Sequence, residues 1–257
     1  MATEAGVHKA AEAAGGLSID PMHQFVIHRI IPVKIGGLDL SFTNSALWMF
    51  VIVGLAALFL LLGGLRVVPS RWQSVKELSY EFIAGAMRDV LGDKGRAFFP
   101  FVFTLFIFIL FANMLGMVPY SFTVTSHIII TFALALFVFV MATIVGFVKH
   151  GFGYLKLFVP SGVPAYMLVI LVPIEIISYF TRPMSLSVRL FANMMAGHTM
   201  LKVFGAFVVG LGFIGGWAPL AMMVALSGLE VLVAFLQAYV FAVLTVIYLN
   251  DAINMHH

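Results

Sequence analysis

The sequence predicts an all-α polytopic membrane protein. Its parts are spanning helices, an interfacial amphipathic helix and a C-terminal hairpin of two long tilted helices. Three observations carry that expectation. Of the 257 residues 62% are hydrophobic and 10% charged, with 26 Phe and a mean hydropathy of +1.10, far outside soluble composition. Apolar runs of about 20 residues, enough to cross a bilayer, recur along the chain. Two further runs near the C-terminus exceed that length, which implies tilt or kinking.

Residues 1–44 read as an extramembrane N-terminal arm, and 45–257 as a single membrane domain, since no polar stretch is long enough for a soluble domain. The opening MATEAGVHKAAEAAGG lacks the apolar core of a secretory signal and is poorer in Arg and Ser than a transit peptide. A bacterial inner membrane is therefore favoured over a mitochondrial one. Asn44 or Ser45 is expected to cap the first span, 46–65, which is apolar throughout and ends at Gly63-Gly64 before Arg66.

From Arg66 to Arg96 basic and acidic residues interleave with Trp72, Val75, Leu78, Phe82, Ile83, Met87 and Val90 at three- and four-residue spacing. This is the pattern of a helix lying at the interface, over about 71–92. Its Lys and Arg residues put that face in the cytoplasm, the N-terminus in the periplasm and, after an odd number of crossings, the C-terminus in the cytoplasm. Spans at 97–117 and 128–147 follow, joined by GMVPYSFTVTSH, which carries no charge apart from His127. Lys149, His150 and Lys156 return the chain to the cytoplasm. Asn113 is the strongly polar residue of the third apolar run, and a helix–helix hydrogen bond accounts for it as well as a functional role does.

The hairpin is expected over 166–209 and 217–249, with glycines and Pro219 in the turn and a kink or break at Pro183. Glu175, Ser178, Arg182, Ser185, Arg189 and Asn193 recur three or four residues apart and share one face of its first arm. Ser227, Glu230, Gln237, Thr245 and Tyr248 lie near one face of the second. Charged groups inside an apolar segment are costly and need partners. Arg182, beside Pro183, reads as snorkelling or binding carbonyls freed at a kink. His198 and Glu230 read as a mutual hydrogen bond joining the arms, or as titratable groups on a proton path. Glu175 reads as interfacial or functional. It stands fourteen positions from Arg189, ~21 Å by helical rise, so the partner of Arg189 is either Glu230 or an acid on another chain. A guanidinium does not deprotonate and acts as a fixed charge.

Several classes are excluded. There is no cysteine, hence no disulfide or thiolate chemistry. The net charge of +3 is small and scattered, which argues against a nucleic-acid partner. No glycine-rich phosphate loop, no metal-ligating cluster and no paired catalytic constellation is present at usable spacing, so neither a cofactor nor catalysis by the chain alone is expected.

SLSVRLFANMMAGH (185–198), LEVLVAFLQAYVFAVLTVIYLND (229–251) and FANMLGMVPYSF (111–122) resemble subunit a of the F-type ATP synthase, over roughly residues 20–251. The resemblance implies a proton-conducting stator subunit that offers two offset half-channels to a ring of c subunits. Its further partners would be b-type peripheral stalk subunits, other ATP synthase subunits and membrane lipid. Arg189 matches the arginine that acts on the ring carboxylate. Glu175 matches a carboxylate near the cytoplasmic half-channel, Asn193 and Gln237 match polar neighbours of the arginine, and Asn113 falls near the periplasmic path. His198 and Glu230 match the pair lining that path, in the order of mitochondrial members rather than of many bacterial ones. A self-sufficient ion-coupled secondary transporter is the alternative from another class; the inverted repeats that would support it are not evident.

Overall fold

A computed structural model describes residues 27, 29–32, 34–35, 38–39, 41–62, 68–118, 121–159 and 164–254. Most of the expected arm, and the expected end of the first span at Gly63-Gly64 and Arg66, lie outside the described residues.

Among the described residues the chain is all-α apart from four short strands: β1 (Arg29–Ile31), β2 (Lys34–Ile35), β3 (Leu38–Asp39) and β4 (Phe42–Thr43). β1 pairs antiparallel with β4, and β2 with β3. Six α-helices follow among the described residues: α1 (Asn44–Leu61), α2 (Arg71–Leu91), α3 (Phe99–Gly116), α4 (Ile128–His150), α5 (Ala165–Gly215) and α6 (Trp217–Ile253). Among the described residues, five helical stretches are long and apolar enough to cross a membrane, α2 and α3 being counted as one.

The cap of α1 differs from expectation. Thr43, not Asn44 or Ser45, holds an extended backbone and accepts from the Ala46 N–H at 3.3 Å, which leaves Asn44 and Ser45 inside the first turn. At the other end of α1, Lys76 of α2 donates to the Leu60 carbonyl at 3.1 Å and to that of Leu62. A cation there satisfies carbonyls that have no intrahelical partner. α2 starts at its cap Ser70, buries Ile83, Met87 and Leu91, and stops at Gly92, whose φ of 59° suits glycine. A 3-10 segment, Gly92–Phe98, connects it to α3.

α6 is the centre of the bundle and packs against α2, α3, α4 and α5. The sequence explains why. Ala234, Ala238 and Ala242, four residues apart, are at most 1% exposed. Such small side chains let neighbouring backbones approach where lipid offers no hydrophobic drive for helices to associate. Phe106 and Ile109 of α3, Val138 of α4, Leu190 of α5 and Phe241, Val246 and Leu249 of α6 complete the core. Large apolar residues such as Leu229, Leu232 and Leu236 point outward instead, the inverse of a soluble surface.

α5 corrects a second expectation. Its backbone runs helically through both Pro173 and Pro183, and the residue that leaves helical torsions is Gly212, at φ 63° and ψ −162°. No break forms at Pro183 because its surroundings fix the helix on both sides. Tyr179 is hydrogen-bonded to α4, and Leu186 and Ser187, one turn further on, are buried. The departure from helical torsions comes instead near the turn, at a glycine, which tolerates positive φ.

Candidate functional site

The first arm of the hairpin presents two faces. Leu186, Leu190, Met194 and His198 recur every four residues and are all buried, the inward stripe of a helix packed on α4 and α6. Val188, Arg189 and Ala192 are exposed on the outside. Arg189 therefore points away from the bundle, and among the described residues it has neither an ion pair nor a hydrogen bond. Of the two partners that the sequence left open for it, Glu230 is engaged elsewhere.

Glu230 comes from α6 and meets His198 of α5, with Oε1 3.5 Å from Nδ1; the residues are 8% and 9% exposed. The approach depends on Gly197. A Cβ at that position would lie 2.7 Å from Glu230 Oε1. His198 also meets the loop after α3, its Nε2 lying 3.1 Å from Thr123 Oγ1. Neither carboxyl oxygen of Glu230 has a hydrogen-bond partner among the described residues, and the same holds for Asn113 Oδ1, Thr125 Oγ1 and His127 Nε2. All of these atoms belong to the end of the bundle where α3 leads into α4, or to the stretch of α6 beside it. Buried acceptors without partners are uncommon and mark a site built for something polar and mobile, such as water or a proton.

Asn113 is fully buried and donates to the Ala234 carbonyl, one turn from Glu230, at 3.2 Å. The amide of Asn113 thus makes a helix–helix bond, while its oxygen is one of the buried atoms without a hydrogen-bond partner among the described residues. Burial holds the His127 imidazole below its ordinary value, and its ring stacks on Phe122 with centroids 4.9 Å apart. Glu175, Asn193 and Gln237 are half-buried, and none makes a side-chain hydrogen bond or ion pair among the described residues. Glu175 lies on the far side of Arg189 from His198. Arg189 is ~21 Å of helical rise from Glu175 and ~13 Å from His198.

The other end of the hairpin holds a second polar cluster that the sequence reading missed. Arg182 neither snorkels nor caps kink carbonyls; it pairs with Asp251 of α6 at 2.8 Å and lies over the rings of Tyr179 and Tyr248. Asp251 offers it a full charge within hydrogen-bond reach. A chain of hydroxyls continues from there, with Tyr179 2.7 Å from Thr143 Oγ1 and 2.9 Å from the Tyr154 hydroxyl. One signal was available: an acid at the C-terminal end of a helix opposes the helix dipole and calls for a cation. No group of three or more His, Cys, Asp or Glu that would hold a metal ion exists among the described residues.

The family described as ATP synthase A chain matches residues 46–250. A protein of Pelagibacter ubique named ATP synthase subunit a is 61% identical over 245 residues, covering 94% of this chain and 100% of its own. Proteins of the same name from Chelativorans sp. and Parvibaculum lavamentivorans are 60% identical over 249 residues and 57% over 256, covering 94% and 96% of this chain and 100% and 98% of their own.

Proposed function

The chain belongs to the ATP synthase A chain family, and on that premise we propose that it is the proton-conducting stator subunit of a rotary ATP synthase, translocating protons but not catalytic alone. It sits in a bacterial inner membrane as a multi-pass protein, a location supported by its five membrane-length helices and its bacterial relatives. Its N-terminal side faces the periplasm and its C-terminal side the cytoplasm, as the distribution of Lys and Arg favours. Its partners are a ring of c subunits, the b-type peripheral stalk and other subunits of the synthase.

The observation that carries this reading is Arg189. A permanently charged guanidinium on the outer face of a membrane-length helix, with no acid to meet it among the described residues, calls for a carboxylate brought by another chain. A ring carboxylate passing Arg189 is stabilised in its ionised form and gives up its proton there. The same fixed charge repels a free proton and keeps two half-channels apart. His198, Glu230 and Asn113 line the periplasmic one, beside the loop after α3. Glu175 lies toward the cytoplasmic one, and Asn193 and Gln237 flank the arginine.

Arg189→Ala tests the proposal in membranes containing the assembled synthase. ATP-driven proton pumping, followed by a pH-sensitive dye, is expected to vanish while the subunit stays in the complex. Normal coupled pumping by that variant would sink the reading.

A further inference from the structure

The loop between α3 and α4 carries a hydrogen-bond arrangement that the proposed path does not yet use. Thr123 is 4% exposed, and its Oγ1 lies 3.1 Å from the Gly116 carbonyl oxygen and 3.1 Å from His198 Nε2. A threonine hydroxyl has one hydrogen to give and two lone pairs to receive with, so it donates to one of these neighbours only.

Gly116 settles which. It is the last residue of α3, and the carbonyls of a last turn have no intrahelical N–H to meet. The other hydroxyl within reach among the described residues, that of Ser121, is 3.2 Å from the Gly116 oxygen but only 2.5 Å and 2.7 Å from the carbonyls of Leu115 and Val118. The Thr123 hydrogen is therefore committed to Gly116, and its lone pair accepts from His198. The loop is built to hold it there. A Cβ on Gly116 would lie 2.8 Å from Thr123 Cγ2, and Ser126 Oγ donates to the Thr123 carbonyl at 2.6 Å.

A neutral imidazole that carries its hydrogen on Nε2 has its lone pair on Nδ1, and Nδ1 is the atom that faces Glu230 Oε1. We infer that Thr123 is a positioning residue: it fixes His198 as the Nε2–H tautomer and so presents Nδ1 to Glu230 as a proton acceptor, an inference that rests on the proton path proposed above. The step it permits is balanced. The Glu230 O–H bond breaks and an Nδ1–H bond forms, converting acid and imidazole to carboxylate and imidazolium, while Nε2–H stays on Thr123. In the opposite tautomer Nδ1 would already be protonated, and Glu230 would face a donor with no room for its proton.

The test uses the whole synthase in lipid, labelled with 15N-histidine, with the spectrum of a His198→Asn complex subtracted. The wild type and Thr123→Ser are expected to show a protonated Nε2 and a bare Nδ1. Thr123→Val, which keeps the shape and loses the hydroxyl, is expected to lose that signature. Its passive proton conduction is expected to fall about tenfold, the rate equivalent of the ~1.4 kcal/mol of one hydrogen bond. An unchanged nitrogen signature in Thr123→Val overturns the inference, as does a Thr123→Ser complex as slow as Thr123→Val, which would make the role one of packing. Because the nitrogen signature is read without proton flux, it stands or falls separately from the Arg189→Ala pumping test.

Discussion

Glu230 reaches His198 because residue 197 has no side chain. With a Cβ there at 2.7 Å from Oε1, closer than any such contact tolerates, the carboxyl has to swing away, and the 3.5 Å approach to Nδ1 is lost. Gly197→Ala is accordingly expected to slow passive proton conduction through the assembled complex about as much as Glu230→Gln does, with the subunit still incorporated. Wild-type conduction in Gly197→Ala would mean that the pair is no part of the path. At this scale the sequence was legible where charge made a residue conspicuous. Arg189, His198 and Glu230 stood out because ionisable groups in an apolar run need a reason. Thr123 did not, because a threonine in an uncharged loop is ordinary until the fold brings a histidine against it from α5. Gly197 was equally silent, since its function is the space it leaves for a residue on another helix.

Among the elements, the amphipathic face of α2 and the long hairpin arms followed from period and length, whereas the torsional break did not. Proline at 183 reads as a break because it removes one hydrogen bond. That cost is local, and the packing of Leu186 and Ser187 together with the Tyr179 hydroxyl bonds outweighs it. The α4–α5 contact depends on another absent side chain. A Cβ on Gly146 of α4 would collide with the ring of Tyr154, the tyrosine that hydrogen-bonds to Tyr179. Both partners are close to rigid, one a helix backbone and the other a buried ring. Gly146→Ala is therefore expected to destabilise the subunit by about 1–3 kcal/mol, the usual cost of overpacking. Thermal unfolding of the purified complex in detergent measures it, and the double variant Gly146→Ala, Tyr154→Ala should lose less than the sum of the two single variants, because residues in contact are not additive. Strictly additive losses would place the cause elsewhere than in this contact.

Across the whole molecule the outer surface of the hairpin is the unfinished part. Its inner faces are closed by α3 and α4, and the end where α6 finishes is pinned by Arg182 to Asp251 and by Lys94 to Asn254, each at 2.8 Å. Outside stand Val188, Arg189 and Ala192, exposed. A buried charge paired within the chain would have pointed to a self-contained transporter; a charge turned outward points to a second chain. Because the sequence has no cysteine, single cysteines can report on this face without background. In the assembled synthase, cysteines at Val188 and Ala192, both exposed, are expected to cross-link to cysteines placed one helical turn from the ring carboxylate. Cysteines at Leu190 and Ala238, 1% and 0% exposed, are expected not to. Cross-links that formed from the buried pair and not from the outer pair would mean that the ring meets a different face, and Arg189 would then need a partner of another kind. Cross-linking from the outer pair that moves through successive ring subunits as ATP is hydrolysed would identify this face as the one past which the carboxylates travel.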